Sequence, residues 1–123
     1  MYGLLRNEFE AIVELFDTIA EHKIYVCHVK DSSIPKSGDQ VAVTDIKLTG
    51  SLKEIFSSKQ DAAGLLELDP KDLNRRILNF VKTEDAGFVK CRAQHLDNQK
   101  IEISNKIDGE LTTSWNKVFL NLK

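Results

Sequence analysis

The strongest constraint on the fold is a repeating apolar pattern near the N-terminus, within residues 3–22. Large apolar side chains recur there at spacings of four, three, four and three residues. Because an α-helix turns once in about 3.6 residues, side chains at these spacings share one face. The pattern predicts an amphipathic helix of about 20 residues, and we expect Phe16 on its apolar face to be deeply buried. That face consists of Leu5, Phe9, Ile12, Phe16 and Ile19.

Two strands are predicted after this helix. Residues 24–29 are rich in β-branched and aromatic side chains, which favour a strand. Residues 31–39 contain a proline and a glycine, which indicate a loop. A second strand begins at Val41, and its alternation changes phase near Thr44 and Asp45, which predicts a β-bulge. We expect the two strands to pair antiparallel.

Two helix starts are predicted in the middle of the chain. Ser51 and Glu54 have the spacing of a capping box ahead of a short helix over residues 52–58. Residues 65–68 fit either a short strand or a turn. Asp69 and Pro70 then fit an N-cap and a first helical position, so a central helix is predicted to run to about residue 83. Ile77 lies on its expected buried face.

The last third of the sequence predicts a hairpin followed by a helix. Residues 88–96 alternate between apolar and polar side chains, residues 97–99 have turn composition, and residues 100–106 return as a strand with Ile101 and Ile103 inward. After a turn at Asp108 and Gly109, the spacing becomes helical from Leu111 to Leu122. Thr112 or Thr113 would cap this last helix, and Trp115 would face the core, or another subunit if the helix packs loosely.

These elements predict an α+β fold in one domain over residues 1–123. An antiparallel sheet of about four to five strands would be covered by a long N-terminal helix, a central helix and a C-terminal helix. The charged share of 29 % and the net charge of −2 exclude intrinsic disorder. Only two cysteines are present, and no apolar run is long enough for a membrane helix. We therefore expect a cytoplasmic protein with reduced thiols and no membrane partner.

Metal binding and catalysis find little support in the sequence. Cys27 and His28 are adjacent on a predicted strand and would point to opposite faces. Cys91 and His95 would lie about 13 Å apart along another strand, so neither pair suits one zinc ion. Cys91 with His28 or His95, oriented by Asp45 or Asp97, would give a nucleophile and a base, yet no nucleophile signature is present. We expect no metal and no cofactor, and phosphate-binding glycine loops are absent.

Charge is distributed unevenly along the chain. Residues 1–70 hold 7 Lys/Arg against 12 Asp/Glu, a net charge of −5, whereas residues 71–106 hold 8 against 5, a net charge of +3. Four carboxylates align on the first predicted helix, and we call them the acidic stripe. A basic protein partner would be attracted to them, although a plain solvated helix face has the same appearance. The acidic stripe is Glu10, Glu14, Asp17 and Glu21.

The basic segment offers a surface for a small acidic ligand through Arg75, Arg76 and Arg92. Such a ligand would sit in an apolar cavity lined by the strands at Ile24 and Phe88. Nucleic acid is not expected, because the isoelectric point is near 5.9 and exposed aromatic platforms are lacking.

The leading functional hypothesis is a small non-catalytic protein that binds another protein. An inhibitor that neutralises a basic toxin or nuclease, as immunity proteins and antitoxins do, is one such class. The alternative is a ligand-sensing domain for a small acidic molecule, and the third hypothesis is an enzyme that uses cysteine and histidine. The chain is expected to be a monomer or a weak homodimer.

Overall fold

A computed structural model describes residues 2–36, 38–48 and 52–120 of the chain. The chain divides into two compact units, Met1–Gln60 and Asp61–Lys123. The first unit contains both α-helices of the described residues and a β-hairpin, and the second contains two antiparallel sheets. The α+β class is therefore confirmed. None of the helices in the described part of the chain is long and apolar enough to cross a membrane.

The N-terminal helix α1 spans Tyr2–Ile19, which confirms the predicted helix and ends it three residues earlier. Its orientation differs from the prediction. Val13 is only 3 % exposed, whereas Ile12 is 51 %, Ile19 is 67 % and Phe16 is 39 % exposed. The expected deep burial of Phe16 is wrong, because α1 is rotated so that Val13 and Phe9 face the rest of the unit. Most of the apolar face is left in solvent.

A β-hairpin follows α1, formed by β1 (Val29–Lys36) and β2 (Asp39–Ile46). The strands pair antiparallel, as predicted, and Gly38 has a φ of 84° in the connecting turn. The first strand lies later than expected: residues 24–28 are not in a strand, and most of the predicted loop over 31–39 is paired. The register is continuous through Thr44 and Asp45, so the predicted bulge there is wrong.

The short helix α2 spans Leu52–Ser58, which confirms its predicted range. Leu52 and Phe56 are its buried residues. The Ser51 half of the predicted capping box lies outside the described residues. A side-chain contact links β2 to α2: Asp45, near the end of β2, accepts a hydrogen bond of 2.7 Å from the ammonium of Lys53 in the first turn of α2.

The second unit is built on a four-stranded antiparallel sheet in the order β4-β5-β7-β8. A second, very short sheet pairs β3 with β6. The strands are β3 (Ala62–Ala63), β4 (Leu65–Asp69), β5 (Asp72–Asn79), β6 (Lys90–Cys91), β7 (Lys100–Ile107) and β8 (Glu110–Thr113). The strand alternative for residues 65–68 is thus confirmed, as is the predicted strand over 100–106.

The predicted central helix from Pro70 to about residue 83 is wrong, because residues 72–79 form β5. Pro70 and Lys71 make a tight turn between β4 and β5, and the Asp69 carboxylate at the end of β4 accepts a hydrogen bond of 2.9 Å from the backbone N–H of Lys71. Asp and Pro serve such turns as readily as helix starts. β5 is paired on both sides, with β4 and β7, and these long-range hydrogen bonds override local helical spacing. Ile77 is consequently half-buried rather than deeply buried.

The predicted C-terminal helix is also wrong within the described residues. Asp108 and Gly109, with φ angles of 51° and 81°, form the tight turn of a β7–β8 hairpin, and Thr112 and Thr113 lie in β8 rather than at a helix cap. Trp115 begins a turn segment that ends the described chain. The predicted hairpin between residues 88–96 and 100–106 is wrong as well, because within 88–96 only Lys90–Cys91 is a strand.

The core of the second unit lies on one face of its main sheet. Phe80 follows β5, Ile101 and Ile103 point inward from β7 as predicted, and Leu96 belongs to the turns before β7. Partly buried side chains cover this cluster, among them Leu78, Cys91 and Trp115. Within the second unit, loops and turns cover the apolar face of the sheet, where the sequence predicts a central and a C-terminal helix.

Candidate functional site

The exposed apolar face of α1 is the most unusual surface of the first unit. Six large apolar side chains on this helix are between 39 % and 67 % exposed. Three of them, Leu5, Ile12 and Ile19, are seven residues apart, the spacing at which one helix packs along another. Contiguous apolar surface of this kind marks an interaction site more often than a solvated face. We call the set the α1 stripe, and it comprises Leu4, Leu5, Ile12, Leu15, Phe16 and Ile19.

An apolar groove of about 230 Å³ lies beside the α1 stripe, within the first unit. Its base is aromatic: the Tyr25 ring is 5.0 Å from the Phe56 ring and 6.2 Å from the Phe16 ring. Val26 at its rim is 88 % exposed. The groove is lined by Phe9, Ile12, Val13, Phe16, Tyr25, Val26, Cys27, Leu48 and Phe56. Since Ile12 and Phe16 belong to both features, the groove and the stripe form one continuous surface.

Two polar groups lie in this otherwise apolar groove. The Tyr25 hydroxyl is buried without a hydrogen-bond partner in the described structure, and the Cys27 thiol is the other polar group in the groove. Burial raises the pKa of Cys27, so its thiol stays protonated and poorly nucleophilic at neutral pH. No carboxylate or imidazole lines the groove to act as a base. Apolar contact is what it offers a partner.

The acidic stripe lies about half a helical turn away from the α1 stripe. Three of its four carboxylates have cationic partners in their own unit: Glu10 is 3.6 Å from Arg6, Asp17 is 2.7 Å from Lys23, and Glu14 is 3.5 Å from Lys59. Glu21 lies beyond the end of α1, so the four residues do not form one continuous helix face.

These ion pairs weaken the field that the acidic stripe presents to a partner. Exposed pairs of this type contribute only about 0–1 kcal/mol to stability, so the carboxylates can exchange these cations for those of a basic partner at little cost. If the acidic stripe is an interface, its carboxylates are expected to be free of internal ion pairs, and Glu10, Glu14 and Asp17 do not meet that condition.

The three arginines predicted to hold an acidic ligand do not converge. Arg75 is already engaged: its Nε lies 2.6 Å from Glu102 and its Nη1 lies 2.7 Å from the buried Asp69. The hydrogen bond and charge of Glu102 raise the pKa of Arg75. Arg76 is the next residue along β5 and points to the opposite face of the sheet. Arg92 follows β6 in the small sheet, so these three residues do not define one pocket.

The cysteine and histidine candidates of the second unit, Cys91 and His95, each contact a different backbone carbonyl. Cys91 donates a hydrogen bond of 3.1 Å to the backbone carbonyl of Ala93, and burial raises the pKa of its thiol. His95 Nε2 lies 3.0 Å from the Val118 carbonyl oxygen instead. The two carboxylates considered as orienters, Asp45 and Asp97, pair with lysines. In the described parts of the chain no group of three or more His, Cys, Asp or Glu side chains could hold a metal ion.

A polar cleft of about 400 Å³ lies in the second unit, between the start of β7 and the C-terminal turns. Lys100 and Lys117 face it, and neither has an ion-pair partner among the described residues. The full lining is His95, Gln99, Lys100, Ile101, Glu102, Lys117 and Leu120. Sequence reasoning missed this cleft, because its two lysines are 17 residues apart and meet only through the fold.

The sequence predicts the apolar face of α1 that contains the α1 stripe. It does not predict that this face is exposed. The seven-residue spacing of Leu5, Ile12 and Ile19 fits packing along another helix, but a helix face buried inside the chain can show the same spacing. No protein family, curated protein or solved structure matches this chain.

Proposed function

We propose that this chain acts without catalysis, by binding an amphipathic helix of a protein partner along the α1 stripe and the adjoining groove. The observation that carries the proposal is the exposure of Leu5, Ile12 and Ile19, which are spaced seven residues apart along α1. The buried side of the same helix contains Val13. A helix is the natural occupant, because heptad spacing keeps two apolar seams in register over several turns. The groove beside Phe16 accommodates a large apolar side chain of that partner.

The partner helix is expected to carry basic residues beside its apolar seam. Glu8 is exposed within the α1 stripe, one turn before Ile12, and a lysine or arginine on the partner would pair with it. The acidic stripe adds a longer-range attraction that speeds encounter. Inhibition of a basic toxin or nuclease in the cytoplasm, in the manner of immunity proteins and antitoxins, is the biological role that this combination of surfaces favours.

The test uses a defined helical probe. A synthetic peptide with leucine at both core positions of each heptad and lysine at the flanking positions is titrated into the full chain, and a scrambled peptide of identical composition is the control. We expect Ile12→Asp to weaken binding at least about tenfold, because a carboxylate replaces a central apolar contact. Asn7→Asp adds the same charge on another face of α1 and should leave the affinity unchanged. Equal binding of the scrambled peptide, or insensitivity to Ile12→Asp, would exclude helix docking here.

The contribution of the acidic stripe to peptide binding is measured separately with the double variant Glu14→Lys, Asp17→Lys. The association rate for the lysine-bearing peptide should fall, with little change in thermal stability, because both residues form exposed ion pairs. The wild-type rate should also fall as salt is added. If the double variant associates at the wild-type rate, the acidic stripe is a solvated helix face with no part in binding.

A second candidate function rests on the cleft of the second unit. Lys100 and Lys117, which have no ion-pair partner in the described parts of the chain, line this cleft together with His95 and favour a small polycarboxylate ligand, as in a ligand-sensing domain. Citrate, used as the probe in calorimetry, should bind the wild-type chain and bind the variant Lys100→Gln, Lys117→Gln at least about tenfold more weakly. Lys106→Gln removes an exposed lysine of β7 outside the cleft and is the matched control. Absence of citrate binding by the wild-type chain, or an equal loss in the control, rejects this candidate.

A further inference from the structure

We infer that the cleft of the second unit binds a free acidic amino acid, a dicarboxylate that also carries an ammonium group. This inference rests on the second candidate function, since it names the ligand class of the same cleft. The observation that carries it is the carboxylate of Glu102, which lines the cleft together with Lys100 and Lys117. The fixed charges among the described lining residues, two positive and one negative, are the reverse of those of glutamate or aspartate.

Glu102 is held in position by a chain of charged side chains that runs across β4, β5 and β7. Its Oε2 lies 2.6 Å from Arg75 Nε, and Arg75 Nη1 lies 2.7 Å from Asp69 Oδ2. Asp69 is 7 % exposed and is itself fixed by the backbone N–H of Lys71. Because two nitrogens of Arg75 are bound in this way, the Glu102 carboxylate is oriented before a ligand arrives.

A net negative charge remains on these three side chains, because the single guanidinium of Arg75 is shared by two carboxylates. The Glu102 side chain is 33 % exposed, so a ligand in the cleft can reach it. A ligand that carries only carboxylates is repelled by Glu102, whereas an ammonium group forms an ion pair with it. Glu102 therefore selects, among dicarboxylates, those that also carry a positive charge.

Lys100 and Glu102 lie side by side on β7. They are two residues apart in a regularly paired part of the strand, so their side chains leave the same face of the sheet at positions roughly 7 Å apart. In an α-amino acid the ammonium and the α-carboxylate are attached to one carbon atom. The neighbouring lysine and glutamate can therefore engage both groups at once, with Lys100 on the α-carboxylate and Glu102 on the ammonium.

Lys117 supplies the contact for the side-chain carboxylate of the amino acid. It belongs to the turn segment after β8, and His95 Nε2 lies 3.0 Å from the carbonyl oxygen of Val118 in the same segment. The cleft volume of about 400 Å³ is within the range of small-molecule sites. An acidic residue inside a peptide or at either end of it lacks at least one of the three charged groups, so only the free amino acid engages all three cleft residues.

Ligand titrations of the isotope-labelled full chain, followed by NMR, test the ligand class. Glutamate is compared with glutarate, which has the same carbon chain and both carboxylates but no ammonium, and with γ-aminobutyrate, which lacks the α-carboxylate. We expect glutamate to bind at least about fivefold more tightly than either, the factor that one partly exposed ion pair supplies. If the cleft recognised negative charge alone, glutarate would bind more tightly than glutamate.

The variant Glu102→Gln should reverse the preference, because glutamate loses its ion pair and glutarate is no longer repelled. A variant that merely distorted the cleft would weaken both ligands. Glu110→Gln removes an exposed carboxylate of β8 that does not line the cleft, and it should keep the wild-type preference. Equal or tighter binding of glutarate by the wild-type chain overturns the inference. An equal loss of both ligands in Glu102→Gln, or an unchanged preference for glutamate, overturns it as well.

Citrate, titrated in parallel, separates this inference from the second candidate function. Citrate binding that depends on Lys100 and Lys117, together with a preference for glutarate over glutamate, retains the cleft as a polycarboxylate site and rejects the amino acid as its ligand. A chain that binds neither citrate nor glutamate loses both proposals. Displacement of citrate by glutamate, with the preference reversed in Glu102→Gln, supports both.

Discussion

Gly64 provides a sharp test of the packing in the second unit. A Cβ atom at this position would lie 2.9 Å from Phe80 Cε1, 3.0 Å from Phe80 Cδ1 and 3.2 Å from the Asn79 carbonyl oxygen. Phe80 is 3 % exposed and packs in the core cluster, so its ring has little room to move. The φ angle of Gly64 lies outside the left-handed region, so the cost of a side chain here is steric rather than conformational.

The expected cost of Gly64→Ala combines two opposing effects. Overpacking a tight core costs about 1–3 kcal/mol in the folded state. Alanine also restricts the unfolded chain, which stabilises the protein by about 0.4–1 kcal/mol. The net loss in free energy of unfolding should therefore lie between about 0 and 2.6 kcal/mol, with a central value of about 1.3 kcal/mol. Phe80→Leu removes the ring atoms that the new methyl group would meet, so in that background Gly64→Ala should cost clearly less.

Urea denaturation followed by tryptophan fluorescence measures these free energies. Trp115 is the single tryptophan of the chain and packs against the core cluster that contains Phe80, so it reports on the second unit. Gly87→Ala is the matched control, because a Cβ there would meet no atom within 4 Å. It should be neutral or slightly stabilising. The packing argument fails if Gly64→Ala is as stable as Gly87→Ala, or if its cost is unchanged in the Phe80→Leu background.

Two further predictions concern titrating groups. Desolvation raises the pKa of Asp45, but hydrogen bonds from Lys53 and from the Ile46 backbone N–H outweigh it and lower the pKa overall. Its stabilisation of the first unit is therefore present above the unfolded pKa of about 3.9 and lost as pH falls through the lower folded value. In helical circular dichroism, Asp45→Asn should show a weaker acid dependence of stability below about pH 4; an unchanged acid dependence would contradict the assignment. Burial raises the pKa of Cys91, so iodoacetamide should alkylate it at neutral pH more slowly than in the unfolded chain. The pKa of Cys27 is raised as well, but Cys27 is exposed and Cys91 is only partly so, and we therefore expect Cys91 to react more slowly than Cys27. Faster modification of Cys91 than of Cys27, resolved by peptide mass spectrometry, would show that its thiol is activated after all.

Elements that depend mainly on local interactions were predictable from the sequence. The apolar period of residues 2–19 marks α1 because a helix makes its own hydrogen bonds locally, and α2 is found within its predicted range. The alternation around Ile101 and Ile103 marks β7, whose inner face is buried as expected. Asp108 and Gly109 mark a tight turn because both residues tolerate positive φ.

Only tertiary contacts determine which segments pair as strands and which face of α1 is buried. Residues 72–79 have a helical spacing of apolar side chains, yet they form a strand because β4 and β7 supply hydrogen-bond partners on both sides. Residues 110–113 pair with β7 for the same reason. The periodicity of α1 shows that it has an apolar face, but which part of that face is covered depends on α2 and Tyr25, which pack against Phe9, Val13 and Phe16 from elsewhere in the chain. The candidate site is the part of the helix face that those contacts leave in solvent, and a periodic pattern cannot distinguish a face buried inside the chain from one kept for another helix.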